Sequence, residues 1–323
     1  MLPDDIFLKI VRSAVKAPSG HNSQPWLFAK EDDGICIKPD FSRTLPVADP
    51  GHRELFISLG CVAETAMIAA AFYGYRPALQ INTLNPDGSI KILLQKDATI
   101  EQPALFSYLT ARQTTRNLYD KKVIPAEDLM SLKQATSESG VGVRFFSGAS
   151  ELRRFSPYIA EANAIQMSNP SFKSELIGWI RFSEKEAKQK GDGLFSACIG
   201  FPSVRRMLGC FVLKNIVTAK SGEKRLLKQL EATSVLALFT SQSINKEYWI
   251  KTGMVFQRFG LTATMLNLNY SHLNSPCQVS EIGKKMINEL GLHSEFPQLI
   301  IRLGYSKKMP FAFRRNVYHS INH

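Results

Sequence analysis

Apolar residues recur at helical spacing from the start of the chain. Ile6, Phe7, Ile10, Val11 and Ala14 share one face, which predicts a short helix over 3–16. Pro18 ends it, because its ring removes a backbone donor and disfavours helix at Ala17. Residues 26–28 and 34–37 then read as two strands joined by a turn. The run 57–75 is almost continuously apolar, broken only by Glu64 and small residues. It predicts a helix buried on all sides rather than a membrane span. The extended stretches 79–84 and 90–94 flank Pro86-Asp87-Gly88 and predict a hairpin. Short apolar runs at 234–240 and 298–303, bounded by polar residues, predict buried strands. Between these parts, 183–190 is helical and lysine-rich, Gly191-Asp192-Gly193 breaks it, and 201–220 mixes basic with apolar residues. The fold class expected from this order is α+β.

Two weak self-similarities organise these elements. The segment 2–7 matches 124–129 with Pro3 over Pro125, and each opens a helix with proline and acids in its first turn. Ile57-Ser58-Leu59-Gly60 matches Ile250-Lys251-Thr252-Gly253, with Glu64 over Gln257. The two offsets, 122 and 193, differ by 71, so the second copy carries roughly 70 additional residues. We place these at about 150–220. Two similar lobes are expected, 1–104 and 105–323, each a sheet with helices and packed through two long helices.

Composition excludes several classes. Among 323 residues, 44% hydrophobic and 21% charged describe an ordinary soluble chain. The acidic start, Met1 to Asp5, lacks a basic-then-apolar targeting region. Five cysteines without Cys-x-x-Cys spacing argue against a disulfide framework or zinc site and for a reducing, cytoplasmic setting. Six histidines show no His-x-x-x-His spacing, so no metal is expected. Hydrolase and P-loop motifs are absent. The net charge of +12 favours anionic ligands. Without a block of five like charges or aromatic-interleaved basic motifs, small phosphates fit better than nucleic acid or a membrane. Asp49, before the long apolar run, is read as a helix cap.

The candidate chemistry lies in Ala17-Pro18-Ser19-Gly20-His21-Asn22-Ser23-Gln24-Pro25-Trp26. This loop is rich in hydrogen-bonding groups and poor in charge, which suits a neutral ring with amide-like edges. A turn that satisfies its own backbone has the same composition. The stretch resembles the Ala-Pro-Ser-x-x-Asn-x-Gln-Pro-Trp signature of the nitroreductase family of FMN-dependent oxidoreductases. Arg112-Gln113-Thr114-Thr115-Arg116 is similar to the family's Arg-Arg-Ser-x-Arg motif. By that match Pro18, Ser19, Gly20, Asn22, Arg112, Gln113, Thr114 and Arg116 fall where the family holds FMN. Arginine suits the phosphate because its planar fork donates two parallel bonds. Arg314 and Arg315 resemble the family's basic phosphate-binding tail, and Lys228 falls near a lysine the family uses on the ring. The segment 270–276 departs from the Glu-Gly expected beside flavin N5.

The first copy has the Asn loop but no preceding arginine motif. The second has the arginine motif, yet 137–142 has lost the Asn and Gln-Pro-Trp. One complete site is therefore expected. With the insertion and the Arg-Arg tail, this resembles the Acg-like branch, as a fused pseudo-dimer that acts as a monomer or weak homodimer. The resemblance implies FMN as cofactor and NAD(P)H as co-substrate. It also implies ping-pong hydride transfer through N5 to a small acceptor, a nitro compound or a quinone, with no catalytic side chain. The alternative is an FMN-storing protein with little turnover. The insertion, with Phe172, Trp179, Phe182, Phe195 and Phe201, is expected to cover the flavin.

Overall fold

The computed structural model describes residues 2–83, 87–216 and 218–322. The chain forms two compact units, and their boundaries are spatial rather than sequential. The first contains Met1–Arg112, Asn245–Met265 and Arg314–His323; the second contains Gln113–Ile244 and Leu266–Phe313.

In the first unit, the opening helix spans Asp4–Ala14, entered from an extended Pro3 and carrying Asp4 and Asp5 in its first turn. It buries Phe7, Ile10, Val11 and Ala14, the stripe its spacing predicts. The sheet is antiparallel, in the order Trp26–Glu31, Gly34–Pro39, Ser89–Lys96, Tyr75–Asn82. The hairpin runs from Tyr75 opposite Lys96 to Asn82 opposite Ser89. Leu84 and Pro86 of the expected connection lie outside the described residues. The first long helix, Arg53–Phe72, ends earlier than its apolar run, because Gly74 at φ +82° turns the chain and Tyr75 enters the sheet. This helix is long and apolar enough to cross a membrane, but 83% of its apolar window is buried inside the protein. The second long helix, Lys246–Met265, lies against it.

The second unit has its own antiparallel sheet, in the order Val141–Ser147, Val235–Ser241, Phe296–Gly304, Asn269–His272. Its middle strand, Val235–Ser241, is buried at every position, as a continuous apolar run predicts. The helices Ala149–Arg153, Ser156–Ser168, Ala219–Glu231 and Ser280–Glu289 supply the core on the sheet, where Phe155, Ile159, Leu230, Leu238, Met286 and Ile300 meet.

The segment 150–220 is thus not one body. Its first two helices are part of this core. The later part, 170–216, has a satellite core of Ile177, Ile180, Phe182 and Ile199. A buried Arg181–Asp192 ion pair at 2.7 Å ties it together. Its helix Arg206–Asn215 leaves Met207, Leu208 and Phe211 exposed.

Candidate functional site

The signature loop opens where the first helix stops, and its only helical feature is a single turn, Gly20–Asn22. Three of its residues, His21, Asn22 and Gln24, adopt left-handed φ values of 48°, 56° and 54°. Such values are uncommon outside glycine and persist only when the surroundings hold them. Here the holding groups are visible. The Gln24 amide N–H donates to Ser19 Oγ at 2.9 Å, and Gln24 Nε2 donates to the Asn22 carbonyl at 3.2 Å. Gly20 N–H reaches Ser58 Oγ on the first long helix at 3.4 Å. Asp49 caps that helix by accepting from Leu55 N–H at 2.9 Å, as its position suggested. Burial, and then the nearby Glu54, push the Asp49 carboxyl above its ordinary value.

The C-terminal tail closes on this loop. Arg314 donates to Asn22 Oδ1 through Nη1, and through Nη2 to the carbonyls of Lys16 (3.3 Å) and Ala17 (3.2 Å). Arg315 gives its backbone N–H to Gln24 Oε1 at 3.1 Å and its Nη1 to the Gln24 carbonyl at 3.3 Å. Asp40 lies 3.7 Å from the Arg315 guanidinium. Arg112, buried, donates to the same Lys16 carbonyl at 3.1 Å. Pro18, Ser19, Gly20, Asn22, Arg112, Arg314 and Arg315 therefore gather in the first unit. Burial, followed by the Arg314 charge, holds the Lys16 ammonium below its ordinary value. A cleft of about 400 Å³ opens on the basic face of the first helix, among Lys9, Arg12, Lys16, Tyr73 and Phe106.

The remaining sequence-derived residues lie in the second unit. Gln113 buries both its amide oxygen and its amide nitrogen with no protein partner. Thr114 follows it, and Thr115 N–H donates to the Tyr270 carbonyl at 2.9 Å. Arg116 donates from Nη1 to the Cys198 carbonyl at 3.4 Å, while its own carbonyl accepts from Gln229 Nε2 at 2.8 Å. Lys228, the residue before Gln229 on the Ala219–Glu231 helix, is exposed.

Lys16, Arg225 and Arg302 lie outside every motif of the sequence, and Gln24 lies within the signature without an assigned role. Arg302 had a signal of its own, a lone charge inside the apolar run 298–303. Among the described residues, no three His, Cys, Asp or Glu side chains gather as a metal cluster would require.

No protein-family model matches the chain. Two Mycobacterium tuberculosis proteins named "Putative NAD(P)H nitroreductase" are similar to it over nearly its whole length. Rv3131 is 23% identical, over 92% of this chain and 84% of its own. The protein called acg is 24% identical, over 96% of this chain and 92% of its own. Among solved structures, the FMN-dependent nitroreductase NfnB of Mycobacterium smegmatis in complex with NADPH is 14% identical, with a TM-score of 0.44. The match covers 68% of this chain and 97% of NfnB. The nitroreductase with bound FMN from Bacteroides fragilis is 16% identical, with a TM-score of 0.41, over 66% of this chain and 94% of its own. The similarity to these two proteins runs along nearly the whole chain.

Proposed function

We propose that the chain is an FMN-dependent oxidoreductase that takes reducing equivalents from NAD(P)H and passes them to a small acceptor, a nitro compound or a quinone. The observation that carries this reading is the convergence of Arg112 and Arg314 on one carbonyl, Lys16 O, beside the signature loop. Two guanidiniums and a lysine ammonium held below its ordinary value by burial and the Arg314 charge make a place that a phosphate dianion would stabilise. Full-length similarity to proteins named as NAD(P)H nitroreductases supports the same reading.

FMN, when bound, supplies a centre that accepts and returns hydride. The protein's part is to hold and orient it. Arg112, Arg314 and Arg315 bind the phosphate, and Pro18, Ser19, Gly20 and Asn22 offer the peptide and amide edges of a loop locked in shape. Gln113, Thr114, Arg116 and Lys228 are proposed as further FMN-binding residues. The unmatched Gln113 amide fits that role, because a buried amide with neither end bonded is costly until a ligand meets it. One FMN per chain and activity as a monomer follow from the single signature loop.

The purified protein should be yellow and release FMN rather than FAD, at one per chain. Stopped-flow mixing with NADH or NADPH should bleach the flavin within seconds, and a quinone or nitro compound should restore the colour. A colourless protein that cannot be reconstituted would overturn the reading. Tightly held flavin that neither nicotinamide reduces would leave storage as the function.

A further inference from the structure

The second unit contains a concentration of positive charge that its own structure does not balance. Arg302 lies in the Phe296–Gly304 strand, directly opposite Leu236 and Ser271 in the register of the sheet, and is fully buried. Its Nη2 donates to the Asn117 carbonyl at 2.7 Å, and its guanidinium sits 3.9 Å above the Tyr119 ring. Its Nε and Nη1 are buried without a hydrogen-bond partner. Arg225 and Arg116 lie close by. Gln229, one turn beyond Arg225 on the same helix, bonds the Arg116 carbonyl, which places both arginines at the same end of the sheet as Asn117. Arg225 donates to the Ile199 carbonyl and lies 4.7 Å from the Phe201 ring. Arg116 reaches the Cys198 carbonyl. Among the described residues, no carboxylate pairs with any of the three. Their only oxygen partners are backbone carbonyls, which carry partial charges.

Buried cations are normally paired, because an unpaired one keeps the full cost of leaving water. Burial first, and then Arg116 and Arg225, pull the Arg302 guanidinium down to about 10, and burial lowers Arg116 and Arg225 as well. A purely structural arginine would account for the Asn117 bond and the Tyr119 stack. It would not account for two orphaned N–H groups, or for two more arginines brought alongside.

We propose that Arg116, Arg225 and Arg302 form an oxyanion site in the second unit, which takes a phosphate group beneath the 196–201 turn. Three monocations match a phosphate dianion better than a carboxylate. The guanidinium fork fits its oxygens, and the carbonyls of Cys198 and Ile199 yield to a stronger acceptor. The residues differ from those assigned above to the FMN phosphate, apart from Arg116, which was placed among the further FMN contacts. The site does not require that flavin reading to be correct.

The test is a titration of the full-length protein with inorganic phosphate, followed by thermal melting, against sodium chloride at matched ionic strength. A saturable rise in Tm below about 10 mM phosphate is expected, since a ligand that binds only the folded state stabilises it by mass action. Arg225→Gln, at a half-buried helix position, should weaken the apparent phosphate affinity at least tenfold. Arg302→Met should abolish the phosphate response, and without phosphate it should melt no lower than the parent, because an apolar replacement removes an unpaired buried charge. Arg112→Ala should keep the response, which separates this site from the first unit. NADPH and NADH added in place of phosphate distinguish a nucleotide phosphate from the free anion: a rise with NADPH alone assigns the 2′-phosphate. No saturable rise, or a response lost in Arg112→Ala and kept in Arg225→Gln, would overturn the proposal. If Arg302→Met does not fold, Arg225→Gln alone decides. Flavin content, read at 450 nm on the same samples, reports separately on the FMN reading.

Discussion

Gly60 and Gly253 exchange partners across the two long helices. A Cβ on Gly60 would lie 1.9 Å from the carbonyl oxygen of Ile250, and one on Gly253 would lie 1.9 Å from that of Ile57. Ile57 with Gly60 and Ile250 with Gly253 are the residues aligned by the internal repeat. The contact is therefore reciprocal, each helix's glycine against the other helix's carbonyl. Only the absence of a side chain lets the backbones approach this closely, and the Cys61 thiol adds a bond to the Gly253 carbonyl at 3.2 Å.

Gly60→Ala and Gly253→Ala should each destabilise the protein by about 3 kcal/mol or more, since backbone rather than a flexible side chain must move. Gly178→Ala, on a helix with nothing within 4 Å of the new methyl, is the control and should be neutral or slightly stabilising. Urea melts on the three variants check this. Equal midpoints would show that the helices separate at little cost.

Arg112→Ala or Arg314→Ala should weaken FMN binding by roughly 1.5–3 kcal/mol, about 10- to 150-fold, as the loss of a charge-assisted bond to phosphate predicts. The measurement is flavin fluorescence on titration into stripped protein. Arg43→Ala is a useful comparison, because Arg43 bonds the Ser23 carbonyl and supports the loop rather than a phosphate. Its effect should appear first in stability.

Gln113 separates binding from folding. Its amide has no protein partner, so Gln113→Leu should leave the flavin-free protein as stable as the parent or more so. The same variant should bind FMN more weakly. A drop in stability with unchanged flavin affinity would make Gln113 an ordinary structural residue.

Acid stability has a clear contributor in Asp97. The hydroxyl and backbone N–H of Thr99, with the Arg76 guanidinium, hold the Asp97 carboxyl down at about 2, below its ordinary 3.8. A carboxyl depressed in the folded state stabilises it above pH 3.8, and that contribution is lost as pH falls toward 2. The Tm difference between the parent and Asp97→Asn should therefore be largest above pH 4 and shrink between pH 3.8 and 2. A difference independent of pH would mean that Asp97 acts through shape alone.

Residue pattern by itself determined the elements. The first helix, the two hairpins and the buried strand at 235–241 follow from local spacing, because a half-buried helix or strand must repeat its apolar positions with its own period. The signature loop was legible in a different way, through its resemblance to the nitroreductase family, because its composition alone suits a turn that satisfies its own backbone equally well. Tertiary structure decided which distant residues meet. That Arg314 and Arg112, 202 positions apart, share the Lys16 carbonyl depends on how the tail adds to the sheet, where Asn322 N–H bonds the Phe28 carbonyl at 2.8 Å. Likewise 150–168 reads as part of an insertion, yet it became core, because Phe155 and Ile159 found the open face of a sheet whose strands lie far along the chain. Arg302 shows the same limit. One charge in an apolar strand is visible in the sequence, but its lack of a partner is a property of every surrounding element at once, and only packing brings those together.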